Sequence, residues 1–277
     1  MKLSAFEPSD MVSQPLDLLQ NKLPSTRDLP SSDETPVDNE GQNLLPNLLL
    51  LSLLSLWAER MDWYFGVDMA VYHTAGVNPR VPVVPDAFLS IGVERRKNDE
   101  FRPSYAVWEE GWTVPMLTLE MVSHKYNDEY TKKLDLYERM GVLYYVIYNP
   151  QFWKKHQHQP FEVYKLGEDG YQLQNGKSDW NEPYWMEEVG LGLGRERQRV
   201  GGIEIEVLLW HDKAGNAYPL ADQLVEDMRS QLSATQQEVR KERQRAEEER
   251  QRAEEERLRA EKLAERLRSL GIDPESV

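Results

Sequence analysis

The stretch that decides the fold runs from Met116 to Pro150 and reads MLTLEMVSHKYNDEYTKKLDLYERMGVLYYVIYNP. Its first residues, 116–122, form a nearly continuous apolar run, which is typical of a strand buried on both faces. Residues 127–141 predict a helix capped by Asn127 or Asp128 and ended by Gly141. Residues 142–148 predict a second strand. Strand, helix and strand with short joints make a βαβ unit, so we expect two parallel strands in one sheet.

Two charged residues occupy inward-facing positions in this unit. Glu120 lies within the apolar run. At 3.6 residues per turn, Lys133 belongs to the helix stripe that also holds Tyr130, Leu134 and Tyr137, whereas Lys132 points to the opposite side. An inward-facing lysine is costly unless it is paired, so we expect a carboxylate partner for Lys133.

A second carboxylate lies upstream in residues 81–91, VPVVPDAFLSI, which also predict a strand. Strand alternation puts Asp86 on one face with residues 84, 88 and 90, and Glu120 on one face with 118 and 122. If the two strands are adjacent, Asp86 and Glu120 meet at a sheet end, where Lys133 can pair with either. Two carboxylates holding Mg²⁺ or Mn²⁺, with a lysine beside them, suit phosphodiester hydrolysis. The spacing therefore predicts Asp86, Glu120 and Lys133 as catalytic residues, with the metal on Asp86 and Glu120.

Each of these residues also has a purely structural explanation. Pro85-Asp86 is a common turn dipeptide, Glu120 could cap a loop, and Lys133 could reach past Tyr137 to solvent. Their order within a βαβ unit, rather than any single residue, favours the catalytic interpretation. Other sites lack support: there is no HExxH motif, and the GLGLG stretch at 190–194 lacks the Lys-Ser/Thr of a phosphate loop and is predicted as a loop between strands.

The surrounding sequence predicts a mixed α/β domain at residues 42–221. A helix is expected over 42–60, capped within 38–42; its apolar run, 44–57, is shorter than the roughly 20 residues that span a bilayer. Residues 64–73 predict a strand and residues 92–112 a charged loop, and further strands are expected near 161–165, 171–174 and 203–210. Residues 1–41, rich in Pro, Ser and Asp, predict a loosely ordered lead-in. The expected fold is a mixed sheet flanked by helices.

The last part of the chain, residues 222–277, has a repetitive and highly charged sequence, unlike the domain before it. RQRAEEE at 243–249 repeats letter for letter at 250–256, and a seven-residue repeat predicts a long helix. Its seam is mostly Ala246, Ala253 and Ala260, so a solvated single helix and a weak coiled coil remain equally open.

The composition limits the kinds of site, the cellular location and the partners that we expect. The chain contains no cysteine, which excludes disulfides and zinc–thiolate sites and is compatible with a reducing cytosol. No signal-peptide pattern is present, so we expect a cytoplasmic protein with no membrane partner. The net charge of −15 argues against an obvious nucleic-acid binder.

The ordered motifs resemble those of the Uma-type endonuclease family, within the PD-(D/E)xK nuclease superfamily. The match comprises Pro85-Asp86, Glu120 with Ser123, Lys133 with Tyr137, then Gly141-Val142, Tyr145 and Asn149-Pro150, over roughly residues 40–210. Two positions depart from the family pattern: Glu129, where relatives often have Asp, and Tyr148-Asn149-Pro150, where an acid usually precedes the proline.

The resemblance implies a restriction-endonuclease-like fold, a metal-binding Asp and Glu, and a catalytic lysine moved onto the helix. Val122 stands where the superfamily usually has its lysine, and Lys133 would replace it. Ser123 and Tyr137 would be supporting residues. The superfamily often carries an acidic residue on its first helix, for which Glu40 is the candidate further metal ligand, although a loop residue is the simpler explanation of Glu40.

Two function hypotheses follow. The first is an Mg²⁺- or Mn²⁺-dependent DNA endonuclease, able to act as a homodimer through the core or the C-terminal helix. The second is a non-catalytic nuclease-fold scaffold whose charged C-terminal helix binds a partner or a second copy. The Asp, Glu and Lys favour the first, and the acidic charge favours the second.

Overall fold

The computed structural model describes residues 23–31, 39–97, 100–123, 128–176 and 181–269. Most of the predicted lead-in and the predicted cap residue Asn127 lie outside these residues. The chain divides into two compact units, Met1–Leu220 and Ala221–Val277.

A six-stranded mixed sheet forms the centre of the first unit. Only its two middle strands, β5 and β6, are parallel; every other neighbouring pair is antiparallel. The strand order is β1-β3-β5-β6-β7-β8, with bounds β1 Trp63–Val67, β3 Ala87–Ile91, β5 Leu117–Met121, β6 Tyr144–Tyr148, β7 Phe161–Gly167 and β8 Gly170–Leu173.

Helices cover both faces of this sheet. Helix α1, Glu40–Leu56, is capped by Asn39, whose side chain accepts hydrogen bonds from the N–H groups of Gly41 and Gln42. It packs on one face through Leu45, Leu49 and Leu53, while helix α2, Lys132–Met140, packs on the other through Tyr137 and Met140. Because α2 connects the parallel strands β5 and β6, the predicted βαβ unit is confirmed. A short helix, α3, Trp153–His156, follows β6.

A smaller antiparallel sheet lies on the α1 side. It comprises β9 Tyr184–Met186, β10 Leu191–Val200 and β11 Ile203–His211, in the order β11-β10-β9. The indole N–H of Trp210 donates to the carbonyl of Leu49 at 3.0 Å, which ties this sheet to α1. The predicted loop at 190–194 is therefore wrong, because residues 191–194 begin β10. The predicted strands near 161–165, 171–174 and 203–210 are confirmed.

Other boundaries also differ from the expectations. The strand predicted over 64–73 breaks at Asp68, where φ is 46°, into β1 and the short β2, Val71–Tyr72. Strand β2 pairs with β4, Tyr105–Ala106, inside the predicted loop 92–112. The strand predicted over 81–91 starts only at Ala87, because Pro82 and Pro85 have no N–H to donate. Helix α2 starts at Lys132 after the cap residue Thr131, not at 127.

Residues 23–31 lie against the region around β4. Thr26 donates through its backbone N–H and its hydroxyl to the Glu109 carboxylate at 3.0 and 2.8 Å. The indole N–H of Trp108 donates to the Pro24 carbonyl at 3.0 Å. Part of the predicted lead-in is thus held by specific hydrogen bonds.

The second unit is one long helix, α4, Ala221–Ser269. Its described side chains are almost all exposed, and Arg257 pairs with Glu254 and Glu261 at 3.1 and 3.6 Å. Within the described residues, no helix is long and apolar enough to cross a membrane.

Candidate active site

The sheet register sets Asp86 opposite Glu120. Ala87 at the start of β3 pairs with Leu119 of β5 in an antiparallel ladder, so the preceding residue, Asp86, lies beside the following one, Glu120. Both residues lie on the face covered by α2, since Phe88, two residues after Asp86, packs in the same cluster as Tyr137. The sheet thus brings together two carboxylates that are 34 positions apart in the sequence.

Glu120 is almost fully buried, at 2% exposure, and its two oxygens have separate partners. The ammonium of Lys133 donates to Oε2 at 2.7 Å. The hydroxyl of Tyr137, one turn further along α2, donates to Oε1 at 2.7 Å. Lys133 and Tyr137 therefore act together from one helix face to hold a charged side chain inside the core.

The carboxylate of Asp86 is bound by a backbone N–H group of the neighbouring strand, β5. Its Oδ2 accepts a hydrogen bond from the N–H of Met121 at 2.6 Å. Burial and, after it, the charge of Glu120 raise the pKa of Asp86 to about 8, against the opposing effects of the Met121 hydrogen bond and of Lys133. The two carboxylates are thus close enough for their charges to repel, and a cation near both would relieve that repulsion.

Lys133 stays charged at this position. Burial by itself would lower its pKa, but the charge and hydrogen bond of Glu120, together with the charge of Asp86, outweigh burial and raise the pKa above its usual value. Its side chain is 29% exposed, so the ammonium lies at the boundary between core and solvent. The neighbouring Lys132 instead points outward and pairs with Asp128 at 2.8 Å.

The donor set fits a magnesium-type ion. Such an ion is commonly bound by one or two carboxylates and keeps several waters, and Asp86 and Glu120 supply that number. Among the described residues, no group of three or more His, Asp or Glu side chains is arranged to hold a metal. Glu40, the first residue of α1, is exposed, and the described residues show no group of three that contains it. Ser123 is buried two residues beyond the end of β5.

A cleft of about 600 Å³ lies at the end of the sheet where β5 and β6 finish, and its walls include Met121 and Val122 but none of Asp86, Glu120 and Lys133. Met121 is the link between this cleft and the candidate site: its N–H donates to Asp86 and the residue lines the cleft, while its side chain packs on the α1 face of the sheet, opposite to Asp86 and Glu120. The other walls are the start of α1, the residues after β6 and the β10–β11 ribbon, including Glu40, Gln42, Gln151, Phe152, Arg197 and Glu206. Two contributions were not predicted from the sequence. One is the N–H of Met121, because a backbone group leaves no sequence signal; the other is β10, whose first four residues were predicted as a loop and whose remaining residues were not assigned.

The family comparison agrees with the geometry. The model of the Uma2 family, described as "Putative restriction endonuclease", matches residues 34–194, more than half of the chain. The chain belongs to the Uma2 family. The family predicted from the motifs is thereby confirmed, and the Uma2 match contains Asp86, Glu120 and Lys133. Membership in Uma2 supports a nuclease function in general.

A solved structure is also similar to this Uma2 chain. It is titled as a "putative nuclease belonging to DUF820 from Anabaena variabilis ATCC 29413", and it matches at 14% identity and a TM-score of 0.40, over 62% of this chain and 89% of that one. No curated protein matches the chain.

Proposed function

We propose that the protein is a metal-dependent DNA endonuclease. Its active site, formed by Asp86, Glu120 and Lys133, would hydrolyse the phosphodiester bonds of the DNA. The observation that supports it most directly is the 2.7 Å contact between the Lys133 ammonium and the buried Glu120 carboxylate, with Asp86 opposite on the next strand. A structural role alone gives no reason to bury two mutually repelling carboxylates next to a lysine, because such groups are expensive to desolvate.

Each residue has a distinct task in this proposal. Asp86 and Glu120 would hold Mg²⁺ or Mn²⁺, which when bound supplies charge stabilisation and an activated water. Lys133 orients the attacking water and offsets negative charge on the phosphate oxygens as the P–O bond breaks. Tyr137 is a positioning residue, since its hydroxyl holds one oxygen of Glu120 and keeps the carboxylate oriented toward the site.

The test is plasmid cleavage by the purified full chain in Mg²⁺, in Mn²⁺ and in EDTA. We expect cutting that requires the metal ion and that falls by at least about a hundredfold in Asp86→Ala and in Lys133→Ala, as for other groups that stabilise developing charge. Lys132→Ala is the matched control: it removes the same charge one residue away, from an exposed position, and should cut like the wild type.

Two results would count against the assignment. Cutting that survives Lys133→Ala keeps the nuclease but removes this lysine from its site. If the wild type cuts no form of DNA and releases no heat on titration with either metal, the scaffold hypothesis replaces the nuclease hypothesis. The exposed 49-residue helix and the net charge of −15 fit a scaffold.

A further inference from the structure

The acidic composition raises the question of how the chain could hold a polyanion. In the described part of the first unit, most Lys and Arg side chains are already bound to a carboxylate. Among those with no described carboxylate within ion-pair distance are Lys154, Lys155 and Arg197. Arg197 lines the cleft at the end of the sheet, and Lys154 and Lys155 follow directly after Gln151 and Phe152, which also line it.

Arg197 lines the cleft from the β10–β11 ribbon. Its directly opposite residue on β11 is Glu206, but that carboxylate is taken by Arg195 at 2.7 Å and by the hydroxyl of Tyr148 at 2.8 Å. The guanidinium of Arg197 therefore remains exposed and available. Glu40, the other carboxylate lining the cleft, is exposed at the first turn of α1.

Lys154 and Lys155 belong to the chain segment that forms another wall of the cleft. The segment from Asn149 to Pro160, NPQFWKKHQHQP, contains two lysines, two histidines and no acid. It leaves β6 at the same sheet end as Glu120, because β6 runs parallel to β5 with Glu120 paired to Ile147. Gln151 and Phe152 line the cleft, and both lysines follow at once in the exposed short helix α3.

We propose that Lys154, Lys155 and Arg197 bind the phosphodiester backbone of DNA on two sides of this cleft and so lead the scissile strand to Asp86 and Glu120. The inference rests on the proposed function and adds the residues that position its substrate. Cations without carboxylate partners are free to exchange their counterions for phosphates, which is the sequence-independent source of affinity in protein–DNA complexes. Local unneutralised charge thus compensates for the acidic total.

The experiment is fluorescence anisotropy of a short labelled DNA duplex with the full chain, over a series of salt concentrations in EDTA and again in Mg²⁺. For each phosphate that a variant no longer binds, the slope of log K against log salt should fall by about one, and affinity near 0.1 M salt should fall about eightfold. We expect the slope to fall by about one unit in Arg197→Ala and by about two units in the Lys154→Ala/Lys155→Ala double variant.

The matched control is Lys213→Ala. Lys213 is exposed, carries the same charge and follows the end of β11 at His211, whereas Arg197 pairs with Glu206 in the middle of the ribbon, away from that end. This variant should keep the wild-type slope. All the substituted side chains are exposed, and the contacts they make are cation–π contacts or ion pairs at the surface. We therefore expect each variant to fold and to give a circular dichroism spectrum close to that of the wild type.

The cleavage assay separates positioning from chemistry. Because the three cations do not touch the carboxylates, KM should rise in the cleft variants while kcat is retained. If the wild type binds and cuts DNA but the cleft variants match Lys213→Ala, the inference is wrong and the nuclease stands. If the wild type neither binds nor cuts DNA, the proposed function fails and this inference fails with it.

Discussion

At the residue scale, the two buried carboxylates of the candidate site are compensated unequally. Glu120 is tolerated in the core because Lys133 and Tyr137 satisfy one oxygen each. Among the described residues no cation is hydrogen-bonded to Asp86, whose hydrogen bond comes from the backbone of Met121. The carboxylate that is least compensated in the protein alone is therefore the one expected to gain most from a bound cation.

The raised pKa of Asp86 gives a pH-dependent prediction for the metal-free protein. Its pKa of about 8 in the fold lies above the usual value of 3.8, so its contribution to stability is fully present below pH 3.8 and is lost as the pH rises toward 8. Asp86→Asn keeps the acceptor for Met121 but cannot ionise. In EDTA we expect the variant to exceed the wild type by roughly 1–3 kcal/mol in free energy of unfolding at pH 8, with a smaller gap at pH 5.

Urea unfolding followed by tryptophan fluorescence at pH 5, 6.5 and 8 measures this gap. A difference between the two proteins that stays constant across these pH values would show that Asp86 ionises normally in the fold.

At the element scale, the β5–α2–β6 unit explains why the site could be anticipated. Glu120 and Lys133 belong to one local unit, so strand alternation and helical spacing suffice to bring them together. Asp86 required in addition that β3 and β5 be neighbours, which the register confirms. Strand β10 behaves differently, because its glycines mark close packing and not a turn.

Gly194 carries the clearest packing prediction at this scale. A Cβ there would lie 2.8 Å from Cβ and 2.9 Å from Cα of Pro183, and 2.9 Å from Cε1 of His211. Gly194→Ala should therefore destabilise the first unit by roughly 1–3 kcal/mol through overpacking. Gly176→Ala is the control, because a Cβ there meets nothing within 4 Å. Chemical denaturation of both variants tests this, and equal stabilities would mean that the strand can shift away from Pro183.

At the scale of the whole molecule, the two units differ in what stabilises them. The first buries an extensive apolar core between two sheets and α1. The second is a helix whose described side chains are nearly all exposed, supported by Glu–Arg pairs worth a few tenths of a kcal/mol each. Helices without tertiary packing are only marginally stable in water.

The two units should consequently melt separately. All eight Trp lie in the first unit, so tryptophan fluorescence reports that unit alone, whereas circular dichroism at 222 nm reports both. We expect the ellipticity to fall at lower temperatures than the fluorescence changes. Coincident curves would contradict this, and a first phase that moves upward with protein concentration would indicate a coiled coil.

The sequence by itself determined the features that depend on local period: the βαβ unit, the inward-facing Lys133 and the long charged helix. The family motifs follow one another along the chain, so they too were accessible. Only the tertiary structure decided that Asp86 lies opposite Glu120, that the glycines of β10 belong to a strand, and that Arg197 and the segment after β6 border one cleft. Those relations join residues far apart in the chain, and they arise from sheet order and packing, which no local pattern specifies.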